Sequence, residues 1–169
     1  TDLLRLKVEV ADWGANVRHD ISDGNFSIVD IIAPTVSVSQ PGEGFSIPEY
    51  DSLSVMWSAV DNILLDSLFV YYRNSSANEY ALQGAVLSQE SQLTFVVPAG
   101  VTEEASVAVK ARDHAGNLGS GYSVDFAVTD NTPPTVTANT PDSIAIGDTL
   151  LLTWSADDNT TLRSHHMYY

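Results

Sequence analysis

The feature that most limits what this chain can fold into is that it repeats itself. Pro34-Thr35-Val36, with Pro41 beyond it, returns as Pro134-Thr135-Val136 with Pro141. Asp51, Leu53, Trp57, Ser58, Ala59, Asp61 and Asn62 then match Asp148, Leu150, Trp154, Ser155, Ala156, Asp158 and Asn159, and the spacing onward to Tyr71-Tyr72 and Tyr168-Tyr169 is the same. Asp113, Ala115, Asn117, Phe126 and Asp130 fall opposite Asp12, Gly14, Asn16, Phe26 and Asp30. The expected organisation is a complete repeat over 34–133, the C-terminal part of a preceding repeat over 1–33 and the N-terminal part of a following one over 134–169. A period of about 100 residues is much longer than a solenoid unit, so each repeat must carry its own core.

Alternation of apolar and polar residues predicts strands throughout. Leu4, Leu6, Val8 and Val10 alternate with Arg5, Lys7 and Glu9, the period of a half-buried strand. Phe26 and Ile28 continue the alternation after two turn clusters, and the two runs are expected to pair. In the complete repeat the expected strands carry Val36 and Val38; Leu53, Val55 and Trp57; Leu68, Val70 and Tyr72; Leu93, Phe95 and Val97; Val107, Val109 and Ala111; and Tyr122, Val124, Phe126 and Val128. Tyr80 to Leu82 reads as a short edge strand at most, and Asp113 to Gly121 as a turn. No window keeps a helical period long enough for a helix. About seven short strands in about 100 residues predict an all-β fold, a sandwich of immunoglobulin-like form.

Charge and composition narrow the chemistry. The net charge is −15, from 22 acidic against 7 basic residues, so a phosphate backbone would be repelled and nucleic acid is not an expected partner. The longest apolar runs are too short to span a bilayer. With no cysteine, disulfides and thiolate metal sites are excluded, and packing must hold the core.

The Trp57 strand followed by Asp61-Asn62, the Tyr71-Tyr72 strand, and the Val-Lys-Ala-Arg-Asp-His-Ala-Gly-Asn-Leu segment from Val109 to Leu118 resemble bacterial immunoglobulin-like and fibronectin type III-like repeats of secreted and surface proteins. The likeness covers the whole chain. It implies an extracellular, secreted or cell-surface location and a spacer, adhesion or accessory role, usually in tandem and usually without catalysis. Such sandwiches host many unrelated functions, so the resemblance speaks to fold more than to role.

One constellation carries metal chemistry. In a sandwich of this topology the loop after the second strand, the loop between the last two strands and the incoming linker lie at one end. Asp30, Asp61, Asn62, Asp113 and Asn117 should therefore meet, and the next junction offers Asp130, Asn131, Asp157, Asp158 and Asn159. Calcium takes six to eight oxygen ligands, and Asp and Asn from three loops supply that chemistry. Asp130-Asn131-Thr132-Pro133-Pro134 is also similar to the Asp-Asn-x-Pro linkers of calcium-stiffened cadherin junctions, whereas Asp30-Ile31-Ile32-Ala33-Pro34 departs from that pattern. The same residues are equally what turns are made of.

Other residues point to cores. Trp57 and Trp154 alternate with leucines and are expected to pack between sheets, while Trp13 should cover the end of its own core. His165 and His166, adjacent in an expected strand, would face opposite ways and share no metal. Neither a nucleophile elbow nor a Gly-rich phosphate loop occurs, so no enzyme is expected. The leading expectation is a non-catalytic structural or adhesive segment of a surface adhesin, stalk or filament, whose partners are neighbouring repeats and other copies in a surface assembly. The alternative is an accessory or carbohydrate-binding module of an extracellular hydrolase, for which Phe69 and Tyr71 are the nominated aromatics. Both end pieces lack a counterpart of residues 73–101, so further chain on either side is expected to complete them, strand donation between copies being the other route.

Overall fold

The computed structural model describes residues 3–168 and contains thirteen strands; no helix occurs among the described residues. They are β1 (Lys7–Ala11), β2 (Val17–Ile21), β3 (Thr35–Gln40), β4 (Ser46–Pro48), β5 (Ser52–Val60), β6 (Leu65–Arg73), β7 (Ala81–Leu87), β8 (Gln92–Val96), β9 (Thr102–Asp113), β10 (Leu118–Tyr122), β11 (Phe126–Thr129), β12 (Thr135–Asn139) and β13 (Thr153–Asp157). Strands β3 to β11 form a sandwich. One sheet runs β3-β5-β8; the other runs β4-β11-β9-β6-β7, with β10 also pairing β9.

Alternation decides which side chains enter the space between the sheets. Leu53, Val55 and Trp57 of β5, Leu68, Val70 and Tyr72 of β6, and Val107, Val109 and Ala111 of β9 are buried together with Phe126 and Val128 of β11. Each large side chain removed from water in this way contributes about 1.5–3 kcal/mol before entropy is counted. Tyr72 lies 5.7 Å, ring centre to ring centre, from Phe95 and 6.4 Å from Phe126. Its hydroxyl is buried with no hydrogen-bond partner, and burial pushes its pKa up to about 12. Tyr72→Phe removes that orphaned group while keeping the ring. Urea unfolding should show stability unchanged or raised by up to about 1 kcal/mol, and a loss above 1 kcal/mol would reveal a bond to the hydroxyl.

Several expectations need correcting, among them the turn over Asp113 to Gly121, since Leu118–Tyr122 is strand β10, paired with β9. The partner of β1 is β2, in register from Lys7↔Ile21 to Ala11↔Val17, and the Phe26 segment contributes only the isolated bridge Leu4↔Phe26. The stretch Tyr122 to Val128 is two strands: β10 ends at Tyr122 and β11 begins at Phe126. Ser123 spans the break, its Oγ accepting from Val107 N at 3.0 Å while its own N–H donates to Val107 O at 3.0 Å. The edge segment is also longer than expected, since β7 extends to Leu87 and pairs along β6.

The end pieces reproduce parts of the central unit's ladders. The β1/β2 ladder corresponds to β9/β10, in register from Ala108↔Tyr122 to Arg112↔Leu118, and Leu4↔Phe26 corresponds to Ala105↔Phe126. Ser22 even repeats the Ser123 bridge, with Oγ accepting from Leu6 N at 3.1 Å. At the other end Val136↔Ala156, Thr137↔Ser155 and Ala138↔Trp154 correspond to Val36↔Ala59, Ser37↔Ser58 and Val38↔Trp57. The aromatic environments differ, however. Trp57 is 4% exposed, whereas Trp154 is 49% exposed and lines a cavity with Val136, Leu152 and Met167. Trp13 is 107% exposed at a turn tip and covers nothing, against expectation. His165 and His166 lie outside any strand and both line the Trp154 cavity, while Tyr169 lies outside the described residues.

Candidate metal centre

Each acidic residue of the first junction is fixed by a local turn. Asp30 Oδ1 accepts from Ile32 N at 3.0 Å, and Asp61 Oδ2 accepts from the N–H groups of Ile63 and Leu64 at 3.1 and 3.2 Å. These are the Asx turns that let an aspartate replace a backbone carbonyl. Asp113 ends β9, its two oxygens accepting from the N–H of Asn117 at 2.8 Å and from Asn117 Nδ2 at 2.7 Å. The same bonds recur between Asp12 and Asn16, both 2.9 Å long.

The fold then brings three of these turns together. Carboxylate oxygens of Asp30 from the linker, Asp61 from the β5–β6 loop and Asp113 from the β9–β10 turn all lie within 4.8 Å of one another. Asn62 Nδ2 donates to Asp30 Oδ1 at 3.2 Å, and Asn117 Nδ2 reaches the Asp30 and Ile32 carbonyls at 3.3 and 3.4 Å. Asn62 and Asn117 therefore frame the cluster as donors through their amide nitrogens. Asp113 is buried, and Asp61 Oδ1 is buried without any hydrogen-bond partner. Among the described residues no lysine or arginine makes an ion pair with any of the three. Burial is the largest single influence on the Asp113 carboxyl and raises it. The Asn117 side chain and the N–H groups of Asn117, Gly116 and Ala115 together outweigh burial, so Asp113 stays below the usual carboxylate value and charged. Three gathered carboxylates, one with a buried and unpartnered oxygen, match a hard cation that binds through oxygen.

The second junction is built differently. Asp130 Oδ1 accepts from Thr132 N at 2.9 Å, matching Asp30 and Ile32. Thr160 Oγ1 stands between Asp130 Oδ2 at 2.8 Å and Asp158 Oδ2 at 2.7 Å. Asp158 Oδ1 is buried and unpartnered, as is the equivalent atom of Asp61. Asn159 Nδ2 donates instead to Glu49, at 2.8 Å from Oε1. Asp157 and Asn131 are exposed; the Asn131 N–H acts on the Glu49 carboxylate, and the Asp157 side chain makes no hydrogen bond among the described residues. Glu49 and Thr160 were invisible to sequence reading. Glu49 lies between the expected strands of Val38 and Leu53 where no periodicity marks a loop, and Thr160 is an ordinary turn residue.

Comparison with known proteins adds a fold likeness. No family model matches the chain, and no curated protein matches it. A solved structure of fibronectin(III)-like modules from Clostridium thermocellum CbhA is similar. The two share 12% identity at a TM-score of 0.49, over 77% of this chain. This chain spans 65% of that structure's length.

Proposed function

We propose that this chain is a stretch of tandem immunoglobulin-like, fibronectin type III-like sandwiches from a long secreted or cell-surface protein, with a complete unit over 34–133. Its role is structural or adhesive, and calcium stiffens the first junction. The observation that carries the reading is the Asp30, Asp61 and Asp113 cluster, whose members come from the linker and from two separate loops of the central sandwich. A cation held by all three ties the incoming chain to the top of that sandwich and restricts its swing. Asp30, Asp61 and Asp113 would be the ligands, with the remaining positions filled by water or carbonyl oxygen. Linkers containing Pro34, Pro133 and Pro134 act in the same direction by removing backbone freedom.

The accessory-module alternative is less well supported, because the nominated aromatic face is already occupied. Lys110 Nζ sits 4.8 Å from the centre of the Tyr71 ring, where a sugar would have to stack.

Thermal melting tests the calcium reading. About 10 mM calcium, at the affinity of about 0.1–1 mM common in extracellular modules, should raise the melting temperature by about 5–15 °C over chelator. Asp61→Asn should abolish that shift while leaving the melt in chelator nearly unchanged. Equal melts with and without calcium would remove the metal from the account.

A further inference from the structure

Glu49 is a fully buried carboxylate, with 0% exposure, in the turn that follows β4, at the end of the central sandwich opposite the first junction. A buried charge must be met by opposite charge or by a full set of donors. Here the donors are neutral and come from three parts of the chain. Gly100 N donates to Oε2 at 3.0 Å from within the central unit. At Oε1 the Thr132 hydroxyl donates from the linker, and Asn159 Nδ2 donates at 2.8 Å from the loop of the C-terminal piece. No salt bridge to Glu49 exists among the described residues.

We propose that Glu49 anchors a repeat-to-repeat interface through neutral hydrogen-bond donors, its partner being the Asp158–Thr160 loop of the following unit. This deepens the tandem-repeat reading and rests on it. The hydrogen bonds that reach Glu49 from the linker and from the next loop carry the argument. Ile32 and Ile63 occupy the positions of Thr132 and Thr160, so at the first junction those side chains offer no hydroxyl. At the second junction the Thr132 hydroxyl and the Asn159 amide donate to Glu49, and the Thr160 hydroxyl stands between Asp130 and Asp158. The Asp130–Thr160–Asp158 bridge is the weaker element of this latch, because one hydroxyl proton can serve only one of two carboxylates at a time. Glu49 has donors for both its oxygens. The Thr132 hydroxyl, then the Gly100 N–H, hold its carboxyl below the usual value against the effect of burial.

Hydrogen exchange on the whole chain in chelator tests this directly. Peptides over 130–132 and 158–160 should be protected in the unaltered protein. Glu49→Gln, which presents an N–H₂ to a site lined with donors, should speed their exchange by about tenfold or more while leaving peptides over 107–111 protected. Glu49→Ala should do the same more strongly. If exchange over 158–160 is already free in the unaltered chain, or is untouched by Glu49→Gln, the interface is refuted. Calcium is absent from this experiment, so its failure leaves the response of the first junction standing, and the converse also holds.

Discussion

Trp57→Ala is expected to destabilise the central sandwich by about 3–5 kcal/mol in urea unfolding, while Trp154→Ala costs about 1 kcal/mol or less. The two tryptophans are equivalent in sequence and in strand register. They differ in what covers them. Trp57 is packed among Leu53, Val55 and the β9 valines between two sheets, and its loss leaves a cavity that a close-packed core cannot collapse to fill. The indole N–H is buried without a partner, so its removal recovers a little of the loss and places the value in the lower part of the range. Trp154 has no second sheet over it among the described residues. Equal costs at the two sites would mean that the C-terminal piece has a core of its own.

Gly119→Ala should cost about 3 kcal/mol or more, comparable to the loss of the tryptophan from one methyl group. A Cβ at Gly119 would lie 1.8 Å from the Pro34 carbonyl oxygen, and one at Gly121 would lie 2.6 Å from that of Val36. Both contacts are with backbone, so neither can be relieved by a side-chain rotation; β3 would have to move away from β10. Gly116→Ala is the control. Gly116 has φ of 97° but open space around its Cβ position, so its substitution costs only about 1 kcal/mol of backbone strain. Denaturant melts of the two variants should differ accordingly, and similar midpoints would mean that β10 does not press on β3.

These glycines show where sequence reading stopped. Leu118-Gly119-Ser120-Gly121 has the composition of a turn, yet it forms most of β10. Only the neighbouring strand, distant in sequence, reveals that Gly119 and Gly121 are needed for close approach. Arg18 and Asp20 stand at the matching positions of β2, which hides the correspondence from composition although the ladders agree residue by residue. The core strands were legible because a period of two survives wherever one face is buried: Leu53, Val55 and Trp57, or Leu68, Val70 and Tyr72, need no partner to be recognised. At the junctions the residue types Asp and Asn were legible from turn chemistry and from the internal repeat. Their division of labour was not. The Ile-containing first linker departs from the cadherin-like pattern, yet that junction holds the three gathered carboxylates, because the Asp113 turn of the same unit packs beside Asp30 and Asp61. The second junction has the closer motif, but Thr132, Thr160 and Glu49 provide for its hydrogen bonding.

Calorimetric titration of calcium into the metal-free chain tests the central claim most directly. The account predicts saturable binding with a dissociation constant of about 0.1–1 mM, lost in Asp61→Asn and retained in Glu49→Gln. Absence of saturable binding, or binding indifferent to Asp61, would contradict it.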